Sequence, residues 1–204
     1  LGMETETVTA AVAQAAGDPR PGEGRRPGRR PDPATGGEPS GPERPAPDDP
    51  RWEPEREVLK LAIQHPALAG PLFDAVGDEV YTHPMYLAVR RAIASAGGAA
   101  CGLSGPEWVE KIVAQIHEPA LRPVIAELAV EPLRTDDEPD PRYVTAKLAR
   151  LQEIAVERQV RDLKSKLQRV NPVEHADKYA RLFGQLVSLE QHKRGLREQA
   201  IGGE

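Results

Sequence analysis

Cysteine is almost absent from this chain of 204 residues: Cys101 is the only one. A single thiol excludes an internal disulfide and a cysteine-rich zinc site. No basic residue stands near it in sequence to lower its pKa, so it is not read as a nucleophile. Aromatic residues are few, 4% of the chain. They are not interleaved with Lys and Arg, as a base-stacking platform requires, so binding of nucleic acid is expected to be weak and indirect. No apolar run approaches the ~20 residues that cross a bilayer, and no basic stretch precedes an apolar one near residue 1 as in a secretory signal. These absences predict a soluble, cytoplasmic protein without a membrane role. No phosphate-binding glycine loop, no G-x-G-x-x-G after a strand and no H-E-x-x-H is present. The five histidines, His65, His83, His117, His175 and His192, are scattered. Two of them precede proline at expected helix boundaries, so they read as capping or surface residues. Asp136, Asp137, Glu138 and Asp140 cluster in a loop that ends in a helix cap, which explains them without magnesium. No catalytic, cofactor or metal residue is predicted. There is also no sustained alternating run rich in β-branched residues, so no sheet is expected.

What the chain does have is proline and charge, unevenly spread. Residues 1–50 hold 10 of the 21 prolines, with many glycines and the pairs Arg25–Arg26 and Arg29–Arg30. Such a stretch buries too little apolar surface to offset the entropy of ordering, so residues 1–51 are predicted to form a disordered linker. The chain starts at Leu1 rather than Met, which with this linker implies a piece of a longer protein with a domain upstream. Residues 51–141 carry 8 basic and 15 acidic side chains, whereas residues 142–204 carry 13 basic and 8 acidic. A basic end on an acidic body points to an acidic partner or to the solvated faces of long helices.

From Trp52 onward the pattern is helical, and an all-α fold is expected. A first helix carries Val58, Leu59, Ala62 and Ile63 and stops at His65 because Pro66 follows. A second carries Leu68, Leu72, Phe73 and Val76. A third starts near Pro84, buries Met85, Val89, Ile93 and Ala96, and ends at Gly97–Gly98. "SGPE" (104–107) reads as a capping box, followed by the buried stripe Val109, Ile112, Val113 and Ile116, with Trp108 beside it. A fifth helix carries Leu121, Val124, Ile125 and Leu128. Residues 52–141 are thus predicted to be a helical bundle subdomain.

Asp140 and Pro141 then open a long helix as cap and first residue. Its apolar series Val144, Leu148, Leu151, Ala155 shifts by one position to Val156, Val160, Leu163, Leu167, Val170. The shift predicts a helix that leaves the bundle and becomes half of a hairpin. At the tip, "LQRVNPVEHA" (167–176) offers Asn171 to end one helix in a left-handed conformation and Pro172 to open the next. The returning helix carries Tyr179, Leu182, Leu186, Leu189, Leu196 and Ala200 at coiled-coil spacing, with Lys193 in the seam. Residues 142–201 are therefore read as a helical hairpin subdomain. Phe183 and Val187 lie beside that seam, on a stripe too wide for one neighbour. The predicted partner-binding residues are Phe183, Leu186, Val187, Leu189 and Gln191, with Lys193, Arg194 and Arg197 as a polar rim. Leu186 and Leu189 fit the internal seam equally well.

"REVLKLAIQHPALAG" (56–70), "YTHPMYLAVRRAIASAGG" (81–98) and the long helix, Asn-Pro tip and terminal helix (142–201) resemble the C-terminal domain of bacterial DnaG-type replicative primases. The resemblance covers residues 52–201 and rests on the order of elements rather than on one signature. It implies a module that docks the primer-synthesising enzyme on the DnaB-type replicative helicase, with the hairpin as the docking part. The family uses zinc and magnesium in two other domains, matched nowhere here, so this chain is expected to need no cofactor and to synthesise no primer. Some family members also hold the acidic tail of single-stranded-DNA-binding protein. One alternative is the N-terminal domain of the helicase, which shares the fold but continues into an ATPase domain. The other is a helical domain that binds single-stranded DNA or its binding protein; plain DNA binding would weaken steeply with salt.

Overall fold

The structure is a computed structural model that describes residues 44–201. Most of the predicted linker, residues 1–43, lies outside the described residues. Seven α-helices follow: α1 (Glu53–Gln64), α2 (Pro66–Asp74), α3 (Pro84–Ser95), α4 (Gly105–Val113), α5 (Leu121–Val130), α6 (Pro141–Gln168) and α7 (Ala176–Ile201). Two short 3-10 turns, Asp78–Val80 and Ala99–Cys101, complete the pattern, and no strand occurs among the described residues. The end of the stretch read as linker is part of the body. Arg44 pairs with Glu127 on α5, Pro45 is buried, and the Trp52 N–H donates to Asp49 O at 3.1 Å to close a turn ahead of α1.

α1 is the centre of the fold. It packs against α2, α3, α4, α5 and α6, and every residue from Glu55 to Ile63 is buried. A helix buried all round is normally apolar on every face, yet this one carries Glu55, Arg56, Glu57 and Lys60 inside. The expectation of one apolar stripe on α1 is corrected here. The stripe Val58–Leu59–Ala62–Ile63 is real, but its opposite face is covered by α5, the loop 131–140 and the start of α6.

Each of those charges has partners, as burial requires. Glu55 accepts from Thr82 N at 2.8 Å, Thr82 Oγ1 at 2.6 Å and His83 N at 3.2 Å. Arg56 donates to Glu127 at 2.7 Å, to Tyr86 Oη at 3.0 Å and to Glu131. Lys60 lies 2.5 Å from Glu57 and donates to Pro132 O at 2.8 Å. Glu57 also accepts from Arg134 N at 2.7 Å and from Tyr143 Oη at 2.6 Å. Burial alone would raise the Glu131 carboxyl. Hydrogen bonds from Arg56, with the charges of Arg56 and Lys60, hold it below the usual carboxylate range. This cluster ties α1 to the last turn of α5 and to the first turn of α6.

Pro66 ends α1 as expected, and at a cost that another helix meets. The carbonyl of Ala62 would normally receive the N–H four residues on, and residue 66 has none. The Trp108 indole on α4 donates there instead, at 3.1 Å. Gln64 performs the reciprocal service, donating to Leu128 O at 2.6 Å and Glu131 O at 2.7 Å at the end of α5. At the end of α3, Gly97 adopts φ +104° and Gly98 N–H donates back to Ile93 O at 3.1 Å, the six-to-one bond of a Schellman end. His83 caps α3, its Nδ1 accepting from Met85 N at 3.2 Å.

Three local expectations are corrected. Ser104 precedes α4, but its side chain makes no capping bond. Gly105 follows at φ +62°, a left-handed residue where a capping box needs helical backbone. The buried residues of α4 are Trp108 and Ile112, with Val109, Val113 and Ile116 packed only partly against the core. Leu72 on α2 is exposed, not buried with Phe73.

α6 joins two cores. Val144, Leu148, Leu151 and Ala155 belong to the bundle core. Ala149, Val156 and Val160 form a second cluster with Leu196, against which Leu186, Leu189 and Ala200 pack. The one-residue shift in the sequence pattern marks this change of neighbours. Asp140 caps the helix, accepting from Tyr143 N at 2.8 Å. At the tip, Asn171 Oδ1 accepts from Val173 N at 3.0 Å. Asn171 thus makes an Asx turn, and α7 begins at Ala176, not at Pro172. α7 contains Gly184 and Gly195, each about 1 kcal/mol less favourable than alanine inside a helix.

Candidate docking surface

The hairpin of α6 and α7 stands on the bundle through α6 itself and through Arg158, which donates to Val80 O at 2.9 Å and Glu79 O at 3.3 Å. Its two helices are further tied by Glu190 on α7, which lies 2.7 Å from Lys164 on α6 and also pairs with Lys193 on its own helix at 3.3 Å. Hydrogen bonds from Lys164 and then Lys193 hold the Glu190 carboxyl below its ordinary range. On α7 only Leu196 is fully buried, Leu186, Leu189 and Ala200 are half-buried against α6, and the face turned away from that seam is exposed.

The predicted site residues divide by depth. Phe183 is 51% exposed and Val187 41% exposed, and the Phe183 ring stacks on Tyr179 with centroids 6.4 Å apart. Gln191, Arg194 and Arg197 are exposed, whereas Lys193 is half-buried. Leu186 and Leu189 are half-buried in the seam, where the alternative reading of those two put them. A groove gathers six of the eight: Leu186, Val187, Gln191, Lys193, Arg194 and Arg197, with Glu190, Glu198 and Ile201. Phe183 lies outside it, and Leu189 lines another groove toward α6. The residue missed is Ile201, 63% exposed. It stands 14 residues beyond Val187, nearly four helical turns, so the same periodicity that picked out Val187 would have found it.

Of the basic rim, Lys193 is paired with Glu190. Arg194 and Arg197 make no ion pair with any described residue. Exposed apolar side chains ringed by charge are the anatomy of a protein–protein contact. Among the described residues no group of three or more His, Cys, Asp or Glu could hold a metal ion, and no helix is long and apolar enough to cross a membrane.

An all-helical body carrying a hairpin with one unpartnered, partly apolar face defines a protein-interaction module. More particularly, the chain belongs to the family described as DNA primase DnaG DnaB-binding, which matches residues 55–182. It is 50% identical over 159 residues to the DNA primase of Mycobacterium tuberculosis strain H37Rv, and those residues are 78% of this chain and 25% of that one. It is 47% identical over 184 residues to the DNA primase of Mycolicibacterium smegmatis, covering 89% and 29%. With the DNA primase of Streptomyces coelicolor the identity is 36% over 154 residues. The chain thus spans about a quarter of the length of the curated relatives it matches. Among solved structures it is similar to the helicase binding domain of primase from Mycobacterium tuberculosis, with a TM-score of 0.60 and 50% identity. That match covers 74% of this chain and 93% of the other. The family match ends at residue 182, so most of α7, with all the predicted docking residues, lies beyond it.

Proposed function

We propose that this chain docks a primer-synthesising enzyme onto the DnaB-type replicative helicase in the cytoplasm, at the replication fork, with the outer face of α7 as the contact. Residues 52–141 act as the scaffold and 142–201 as the docking arm. The observation that carries the reading is the exposure of Phe183 and Val187 beside a closed seam. Neither side chain belongs to either core cluster, and the domain belongs to a family named for binding DnaB. The docking module itself uses no cofactor. Zinc, magnesium and polymerisation belong to the parts of a primase that this chain does not match. The basic rim is also where the acidic tail of single-stranded-DNA-binding protein would sit, in competition with the helicase.

The test is a binding titration against the purified helicase of the same organism. Phe183→Ala and Val187→Ala are each expected to weaken binding by ~1–3 kcal/mol, as modest hot spots do, with unchanged helicity. Normal binding by both variants, together with early melting, would place these side chains in the core and the docking surface elsewhere. Arg194→Glu combined with Arg197→Glu should slow association and flatten its salt dependence, since rim charges chiefly steer encounter. Association that is equally fast at low salt removes the rim from the contact.

A further inference from the structure

α6 is one unbroken helix from Pro141 to Gln168, yet it serves two cores. Its last side chain in the bundle core is Ala155, and Val156 and Val160 already belong to the cluster shared with α7. Arg158 falls between them. Being two residues from each, it stands on the opposite face of the helix, away from the seam with α7. Its Nη2 donates to Val80 O at 2.9 Å and to Glu79 O at 3.3 Å. Both carbonyls end the 3-10 turn Asp78–Val80, and so short a helix has no donor of its own to offer them.

Further along the same face of α6, Arg161, Asp162 and Arg169 are exposed. Arg158 thus marks the point from which the hairpin projects. The proposed anchors Phe183 and Val187 are carried by the projecting part. Lys164 pairs across to Glu190, and in an antiparallel pair that register sets Val187 level with Leu167 and Phe183 level with the tip. At 1.5 Å per residue, both lie roughly 15–20 Å beyond Arg158. The other end of α7 does not hold the angle. Arg197, Ala200 and Ile201 line a cleft of about 860 Å³ together with Glu53, Arg134 and Glu138 of the bundle. No ion pair between described residues spans it, and Arg134 turns to Glu53 on its own side.

We propose that Arg158 is the positioning residue of the docking arm. By holding α6 to the turn Asp78–Val80 it fixes the angle at which the hairpin leaves the bundle, and so the orientation in which Phe183 and Val187 meet the helicase. The inference rests on the docking reading above and adds the residue that gives it one geometry. Orientation matters because the bundle, the larger part of the domain, has to be accommodated beside the partner whenever the arm is bound. Once the hold is lost, affinity falls with the fraction of time the arm spends in the competent orientation. A single nitrogen makes both bonds, so the site demands one cationic donor of sufficient reach rather than the planar fork of a guanidinium.

Two exposed positions report the angle: Val130 at the end of α5, 82% exposed, and Val173 at the hairpin tip, 87% exposed. In the 204-residue chain, Cys101→Ser removes the native thiol, and Val130→Cys with Val173→Cys takes two spin labels. The distribution of distances between the labels is measured with Arg158 intact, with Arg158→Ala and with Arg158→Lys, and affinity for the purified helicase is measured on the unlabelled chains. The expected result is a narrow distribution with Arg158, a clearly broader one in Arg158→Ala at unchanged helicity, and a return to the narrow one in Arg158→Lys. Helicase binding by Arg158→Ala should be about three- to tenfold weaker, as for an arm that is competent only part of the time. An unchanged distribution in Arg158→Ala overturns the proposal. So does lost helicity, since Arg158 would then serve the fold alone. A broadened distribution with wild-type affinity overturns the positioning role and leaves the docking reading in place. No binding by the wild-type chain overturns that reading and the positioning role with it.

Discussion

Glu57→Ala is expected to destabilise the domain by about 3–5 kcal/mol, the range found when one partner of a buried ion pair is removed. Glu57 and Lys60 are each 1% exposed and lie 2.5 Å apart. Without the carboxylate, the Lys60 ammonium stays buried with only Glu131 at 3.3 Å and Pro132 O beside it. Arg134 N and Tyr143 Oη lose their acceptor at the same time. For a domain whose whole stability is on the order of 5–15 kcal/mol, that is a large fraction. The contrast lies in the double variant. Glu57→Leu with Lys60→Met removes both charges and keeps the volume, and such replacements are often nearly neutral. It should recover more than half of the loss, less whatever the orphaned Tyr143 hydroxyl and Arg134 amide cost. Urea unfolding followed by circular dichroism measures both. A single-variant loss below about 1 kcal/mol would mean that water reaches the pair, and the closed cluster around α1 would have to be abandoned.

That cluster also marks where reading the sequence stops. The seam of α7, the cap at Asp140 and the passage of α6 between two cores were all legible, because each depends on residues three or four apart on one helix. The exposure of Phe183 and Val187 was legible for the same reason: both lie a quarter-turn or so from the leucine line. Nothing of that kind separates Arg56, Glu57 and Lys60 from an ordinary solvated face. Their burial is decided by Glu127, Glu131, Arg134 and Tyr143, all more than 65 residues away in the chain. Periodicity carries no information at that range. The 3-10 turns at Asp78–Val80 and Ala99–Cys101 were hidden differently, being shorter than one helical period of 3.6 residues. "SGPE" misled because a capping box is defined by residue types, whereas the left-handed Gly105 is a fact of backbone. For the proposed docking face, the apolar and basic residues were chosen from sequence pattern alone.

Trp108→Ala should cost about 3–5 kcal/mol, the range for emptying a buried aromatic site, and Trp108→Phe should show that part of this is one hydrogen bond. The Trp108 side chain is completely buried. It fills the space between α4 and α1, and its indole N–H meets the Ala62 carbonyl that Pro66 leaves without a donor. Phenylalanine keeps much of the ring and returns no donor. Leaving a buried carbonyl unsatisfied costs about 1–3 kcal/mol, so the Phe variant should fall between wild type and Ala rather than match wild type. The consequence for docking runs the other way. Trp108 belongs to the bundle core, whereas the face of α7 rests on the second cluster, built by Ala149, Val156, Val160 and Leu196. Below its lowered melting temperature, Trp108→Phe should therefore bind the helicase as the wild type does. The fluorescence of the remaining tryptophan, Trp52, reports on the bundle, while helicity includes the hairpin. Because α6 runs unbroken from one core to the other, the two signals should still be lost together on heating. Separate transitions would show that α6 does not couple the cores. Wild-type stability in Trp108→Phe would show that the Ala62 carbonyl is satisfied without the indole.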